Sequence, residues 1–325
     1  MIQVKNLNKI FKVHKKEAGL KGSIQSLFNR HYIEKKAVHN LNLSIDEGEI
    51  IGLIGSNGAG KTTLTKILSG IIHPTSGEVK VMGHNPWLRQ NEYRKNMAVI
   101  MGQKAQLWWD LPALDGFLLL KEIYQIPTKT FNQSVEFLAE YLKIKDQLNI
   151  QIRRLSLGER MKVELMAALL HQPKIIFLDE PTIGLDLSAQ KAVRSFIKEY
   201  RKEHNPTIIL TSHYMDDIEE LCPRICILRE GTSVYDGELD KLHKKYAHNK
   251  QISANLKNAE DILKLESIFP AELGQITALG HSASITTPRE KTMEAAKFIL
   301  NNSEVLDLTI KAVSYTHLTL PTTPY

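Results

Sequence analysis

The chain has 325 residues, 42% hydrophobic and 24% charged, and its 42 Lys and Arg against 36 Asp and Glu leave a net charge of +6. That balance suits an ordinary globular protein with room for one large domain and a smaller one, and the positive charge fits phosphates, nucleic acid or anionic lipid without choosing among them. No apolar run approaches the roughly 18 residues of a membrane-spanning helix, and Met1-Ile2-Gln3-Val4-Lys5-Asn6 lacks the layout of a signal peptide, so a cytoplasmic location is expected.

Strand-like segments, Ile2 to Val4 and Val38 to Ile45, flank a stretch from His14 to Lys36 rich in Lys and Arg. That stretch is either a solvated surface insertion or a basic face turned towards lipid headgroups. Glu49 to Ile54 is a short apolar run of the buried-strand type, followed by a glycine-rich turn and a helical stretch from Lys61 to Leu68. Further buried strands are expected at Met97 to Met101, Ile175 to Leu178, Thr207 to Thr211 and Ile225 to Leu228. Helical patterns lie at Gly158 to His171 and Ser188 to Arg201, and Leu111 to His171 is mostly helical in pattern, as a helical subdomain would be. Strands alternating with helices predict an α/β fold with a mainly parallel central sheet. The only cysteines, Cys222 and Cys226, have no second pair and are expected as buried thiols.

After about Asp240 the pattern changes. Gln251 to Leu256 predicts a strand, Glu260 to Phe269 a helix, Gly274 to Leu279 and Ser282 to Thr287 two strands, Glu290 to Asn302 a helix and Val305 to Ile310 a last strand. That βαββαβ order is the ferredoxin-like arrangement. The expected division is residues 1–240, with a helical subdomain at about 104–172, then a small α+β domain at 241–310. Residues 311–325 contain no Asp or Glu and, beyond Lys311, no Lys or Arg; they resemble translated adapter read-through, and a foreign, disordered tail replacing the native end is expected.

Gly55-Ser56-Asn57-Gly58-Ala59-Gly60-Lys61-Thr62 fits G-x4-G-K-[ST] between a predicted strand and a predicted helix. Such a turn lets backbone N–H groups and a helix N-terminus converge on phosphates. Lys61 would reach the β- and γ-phosphates, and the Thr62 hydroxyl would ligate Mg²⁺. Ile175-Ile176-Phe177-Leu178-Asp179-Glu180 is an apolar strand ending in two acids, suited to holding the metal through Asp179 and polarising an attacking water through Glu180.

Leu155-Ser156-Leu157-Gly158-Glu159-Arg160 resembles the LSGGQ signature of the ABC ATPases, with Leu157 for the first glycine and Glu159 for the glutamine. Ser156 and Gly158 are retained; Ser156 with Glu159 also makes a capping box, a purely structural role for the same residues. The remaining family motifs follow in order: Gln103 at the Q-loop, Gly184-Leu185-Asp186 at the D-loop and His213 at the switch histidine. The resemblance covers roughly residues 2 to 240. The basic insertion and Leu107-Trp108-Trp109-Asp110-Leu111-Pro112 resemble a bacterial branch of ABC-2-type ATPases, mostly exporters.

The resemblance implies ATP and Mg²⁺ as cofactors, with ATP held by Gly55 to Thr63 and, across a head-to-tail homodimer, by Ser156 and Gly158. It further implies Glu180, His213 and Lys61 as catalytic residues and Thr62, Gln103 and Asp179 as metal ligands. The adenine-stacking aromatic is Phe11 or, alternatively, Tyr32. The implied partners are an ABC-2-type membrane permease, which would place the chain on the inner face of the cell membrane, and a second copy of the chain; no nucleic acid is expected. Trp108 and Trp109 are either packed inside the helical subdomain or exposed as a hot spot for the permease. A permease-free role on ribosomes or DNA is the competing function, disfavoured by a single phosphate loop and the lack of sustained heptads.

Overall fold

Alternation of apolar and polar residues near the N-terminus builds an antiparallel sheet, in which β1 (Ile2–His14) pairs with β2 (Tyr32–Ile45) on one side and β4 (Ser76–Val81) on the other. The computed structural model describes residues 1–14, 32–102, 106–246, 249–279 and 282–312. The segments read as strands are the buried cores of longer ones. Residues 32–36, read as part of the basic insertion, belong to β2 and pair with 10–14 of β1. That outer part is mostly exposed, so it carries no buried face to read. Residues 15–31 lie outside the described residues.

The second sheet has the order β5-β6-β7-β3-β8-β9. It comprises β3 (Ile50–Ile54), β5 (Met97–Met101), β6 (Ile175–Asp179), β7 (Thr207–Thr211), β8 (Arg224–Arg229) and β9 (Thr232–Glu238). The four pairings from β5 to β8 are parallel. Every residue of β3, β6 and β7 is buried, as expected for strands covered on both faces. The helix α1 (Lys61–Leu68) sits between the sheets: Leu64 and Leu68 pack in one core with Ile51, Phe177, Ile209, Ile2 and Leu41.

A short helix, α2 (Asn91–Lys95), precedes β5, and the helical subdomain contains α3 (Ala113–Tyr124), α4 (Thr128–Tyr141) and α5 (Leu157–Leu169). After β6 comes α6 (Leu187–His204), whose buried stripe Val193, Phe196, Ile197 and Tyr200 has the helical spacing. Asp186 caps it, accepting from Ala189 N at 2.7 Å. The seven-residue α7 (Met215–Leu221) follows β7. Cys222 and Cys226 are buried and free; burial pushes the Cys226 thiol up to about 11.

The chain divides into two units, Met1–Asp236 and a second from Gly237 onward. The second opens with α8 (Leu239–Tyr246) and continues as β10 (Asn249–Leu256), α9 (Ala259–Ile268), β11 (Gln275–Leu279), β12 (Ser282–Pro288), α10 (Thr292–Asn302) and β13 (Val305–Ala312). Its strands run in the order β11-β12-β10-β13, every neighbour antiparallel, which is the ferredoxin-like topology. Ile252, Leu265, Ile285 and Ile299 form its core. Lys311 and Ala312, assigned to the tail on sequence grounds, are instead paired in β13 with Gln251 and Lys250. Residues 313–325 lie outside the described residues.

Candidate functional site

β3 ends at Ile54, and the glycine-rich turn after it delivers the chain into α1, of which Lys61 is the first residue. Gly60 takes φ 108°, and a Cβ there would collide with the Ala37 carbonyl, so the turn closes only with glycine. No side chain caps α1, which leaves its first N–H groups and its positive end for an anion. Lys61 is buried, and its Nζ donates to Gly55 O at 2.6 Å and Ser56 O at 3.2 Å. Burial lowers its pKa, opposed by the charges of Glu180 and Asp179.

A cavity of about 580 Å³ lies over the turn, lined by Asn57 to Thr63, by Glu180, and by Phe11, Lys12 and Lys35. Three lysines against one carboxylate suit an anionic ligand, and Phe11 supplies a ring at its wall. Phe11 faces Lys35 across the β1–β2 ladder, whereas Tyr32 pairs with His14 further along and does not line the cavity.

The two acids at the end of β6 occupy different settings. Asp179 is buried; its Oδ1 accepts from Thr211 Oγ1 at 2.6 Å and from Thr62 Oγ1 at 3.3 Å. A carboxylate and a hydroxyl so close are the hard oxygen donors Mg²⁺ prefers, few in number because phosphates and water complete its shell. Among the described residues no group of three or more His, Cys, Asp or Glu is gathered for a metal. Glu180 stands at φ 57°, an uncommon left-handed conformation for a non-glycine, held by its N–H donating to Thr211 O at 3.0 Å. Its Oε1 lies 2.7 Å from His213 Nε2, joining the ends of β6 and β7 above the phosphate loop.

Gln103 lies outside the described residues. Just before it, Gly102 donates its N–H to Asp179 O at 2.9 Å, and a Cβ on Gly102 would meet the Glu180 carbonyl. Ser156 caps α5: its hydroxyl lies 2.7 Å from Glu159 Oε2, its N–H donates to the same oxygen at 2.9 Å, and Glu159 N returns a bond to Ser156 Oγ at 3.3 Å. Leu157 lies against Gly184, and Gly158 against Ala189, so the start of α5 packs on the 184–189 segment. Neither Ser156 nor Gly158 lines the phosphate-loop cavity of its own chain.

Behind the site is a cluster that sequence reading did not single out. Asp217 of α7 accepts from the Ser212 hydroxyl at 2.6 Å, from Arg194 Nη1 at 2.9 Å and from the Thr182 hydroxyl. It joins the segment after Glu180, the residue before His213 and the helix α6. The run Asp216-Asp217-Ile218-Glu219-Glu220 looks like a solvated acidic face, and only the buried Arg194 on α6 distinguishes Asp217 within it. Trp108 and Trp109 are 43% and 50% exposed, which sets aside packing inside the subdomain.

A parallel sheet with a phosphate-binding turn between its strand and helix, and acids at the end of a neighbouring strand, defines a P-loop nucleoside triphosphatase. Residues 38–183 match the ABC transporter family. The chain is 31% identical over 208 residues to the ABC transporter ATP-binding protein NatA of Bacillus subtilis, covering 64% of this chain and 84% of that one. It is 31% identical to the Nod factor export ATP-binding protein I of Burkholderia thailandensis, covering 64% and 68%. A dimeric ATP-binding cassette in a post-hydrolysis state, bound to ADP and Pi, superposes with a TM-score of 0.60 at 24% identity over 74% of this chain and 99% of that one, a likeness of fold. The chain belongs to the ABC transporter ATP-binding proteins: it is an ATPase subunit that binds ATP with Mg²⁺ and hydrolyses it. No helix among the described residues is long and apolar enough to cross a membrane.

Proposed function

We propose that two copies of this chain close head to tail on two ATP molecules and drive export through a separate ABC-2-type membrane permease. The observation that carries this reading is the division of the site. One chain's cavity is lined by Lys61, Thr62, Glu180 and Phe11 but not by its own Ser156 and Gly158, which in this reading meet the partner's nucleotide. In this reading Lys61 and the loop N–H groups hold the phosphates, and Thr62, Asp179 and Gln103 hold Mg²⁺, which neutralises phosphate charge when bound. Phe11 stacks on the adenine. Glu180 accepts a proton from the attacking water, while His213, 2.7 Å away, orients that carboxylate and reaches the γ-phosphate.

The exposed Trp108 and Trp109 supply the aromatic anchors by which a permease would be gripped, holding the chain at the inner face of the membrane. Export is supported by the named role of the Nod factor relative. The test is to tag the chain in its host, solubilise the membranes gently and identify what co-purifies. A multi-spanning protein that stimulates ATP hydrolysis supports the reading. Recovery with ribosomes or nucleic acid instead would keep the ATPase and remove the transport role.

A further inference from the structure

We infer that Glu164 is a positioning residue that ties the exposed Trp108–Trp109 tip to the signature helix α5, so that displacement of the tip is delivered to Ser156 and Gly158. The functional half of this statement rests on the reading that the tip meets a permease; the tie itself does not.

Glu164 lies two turns after Ser156 on α5 and is only 6% exposed. A buried carboxylate needs strong partners, and those it has are backbone groups from another segment. It accepts from Gln106 N at 3.0 and 3.1 Å and from Leu107 N at 3.4 Å. Burial raises its pKa, with these two N–H groups and Arg160 working in the opposite direction. Asn or Gln at this point would bring a donor that the loop N–H groups cannot use; a carboxylate is acceptor-only and takes both.

The same stretch grips the rest of the tip. Arg160, one turn before Glu164, places its guanidinium 5.3 Å from the Trp109 ring. Just before α5, Ile152 N donates to Leu111 O and Arg153 N to Trp109 O, each at 3.1 Å, and Arg153 pairs with Asp110 at 3.1 Å. Residues 106–111 are thus held from both sides by residues 152–164. Meanwhile Gln106 Nε2 donates to Val99 O at 2.8 Å, anchoring the start of the tip on β5. A tip with exposed rings and a well-bonded root is built to transmit force rather than absorb it, and its root is the helix that begins with the signature.

Amide hydrogen exchange on the full chain, wild type against Glu164→Ala and Glu164→Gln, tests the tie. Loss of a charged acceptor predicts about 10- to 100-fold faster exchange at Gln106 and Leu107 in the Ala variant. Gln retains one carbonyl acceptor and covers the volume should the Ala variant fail to fold; it is expected to lie between the two. ATP hydrolysis is then measured with and without inverted membrane vesicles from host cells lacking the native copy. Glu164→Ala should lower the vesicle-stimulated increment about 2- to 30-fold, the range for residues in coupling networks, and leave basal turnover at the wild-type level.

Unchanged exchange in both variants overturns the tie. Faster exchange with undiminished stimulation, or an equal loss of basal and stimulated rates, overturns the positioning role. If wild type itself is not stimulated, the permease reading fails instead. In that case the exchange comparison at Gln106 and Leu107 decides the tie alone, and faster exchange there in Glu164→Ala upholds it.

Discussion

Removing Asp217 is expected to weaken the first unit strongly, because Asp217 and Arg194 form an ion pair with side chains 0% and 2% exposed. Asp217→Ala deletes the acceptor for the guanidinium and for two hydroxyls, those of Ser212 and Thr182. The Arg194 charge then remains buried, answered by Glu220, 2.9 Å from its Nε and itself 41% exposed, and more weakly by the charge of Asp216. Breaking one side of such a pair costs about 3–5 kcal/mol. With a urea dependence near the upper end of the usual 1–3 kcal/mol per molar, the unfolding midpoint should fall by about 1–2 M. All three tryptophans, Trp87, Trp108 and Trp109, lie in the first unit, so tryptophan fluorescence reports on that unit. A double-mutant cycle with Arg194→Ala isolates the pair, and a coupling of less than about 1 kcal/mol would refute the assignment of the loss to the ion pair.

Three further outcomes are expected. Phe11→Ala should weaken ATP binding by about 5- to 150-fold, the worth of a base–aromatic stack, while Tyr32→Ala leaves it unchanged; equal effects in equilibrium titration would sink the choice of Phe11. Ser156→Ala should cost about 0.5–2 kcal/mol of stability through its lost cap, measurable by urea melts in the absence of nucleotide. It should also weaken ATP-driven pairing, and normal pairing would confine Ser156 to capping. The Ser156 hydroxyl, and next its N–H, lower the Glu159 pKa below the ordinary 4.5. The stabilisation this represents is present above pH 4.5 and is lost as the pH falls through the lower folded value. Acid unfolding of Glu159→Gln should lack that increment, and identical acid profiles would contradict it.

What sequence made legible follows from where the physics is local. The strands β3, β6 and β7 are continuous apolar runs, and the phosphate-loop glycines are demanded by backbone geometry, so both stand out in one dimension. β4 and β9 did not: in β4 only Val79 and Val81 are buried, and β9 is half exposed at a sheet edge, so neither shows a clear period. The ferredoxin-like order was readable because its central strands β10 and β12 each keep one buried face, while Ile276 of β11 and Val305 and Leu308 of β13 pack partly buried against the same core. The pairing of Glu180 with His213 and the hub at Asp217 join residues 33 and 35 apart along the chain through the packing of β6, β7 and α7. No local pattern encodes those contacts. Glu164 was hidden for the same reason, since its partners are backbone N–H groups of a distant loop and not a side-chain motif. Between Phe11 and its alternative Tyr32, the β1–β2 register puts Phe11 at the cavity.

The most direct measurement is the fate of ATP on Glu180→Gln. The purified variant is mixed with Mg²⁺ and ATP, then followed for phosphate release and for sedimentation as monomer or dimer. Loss of the proton acceptor should slow turnover about 100- to 10,000-fold and leave a dimer holding unhydrolysed ATP. Hydrolysis at the wild-type rate would show that Glu180 is not the base, and a slow variant that stays monomeric with ATP would contradict the divided, two-chain site.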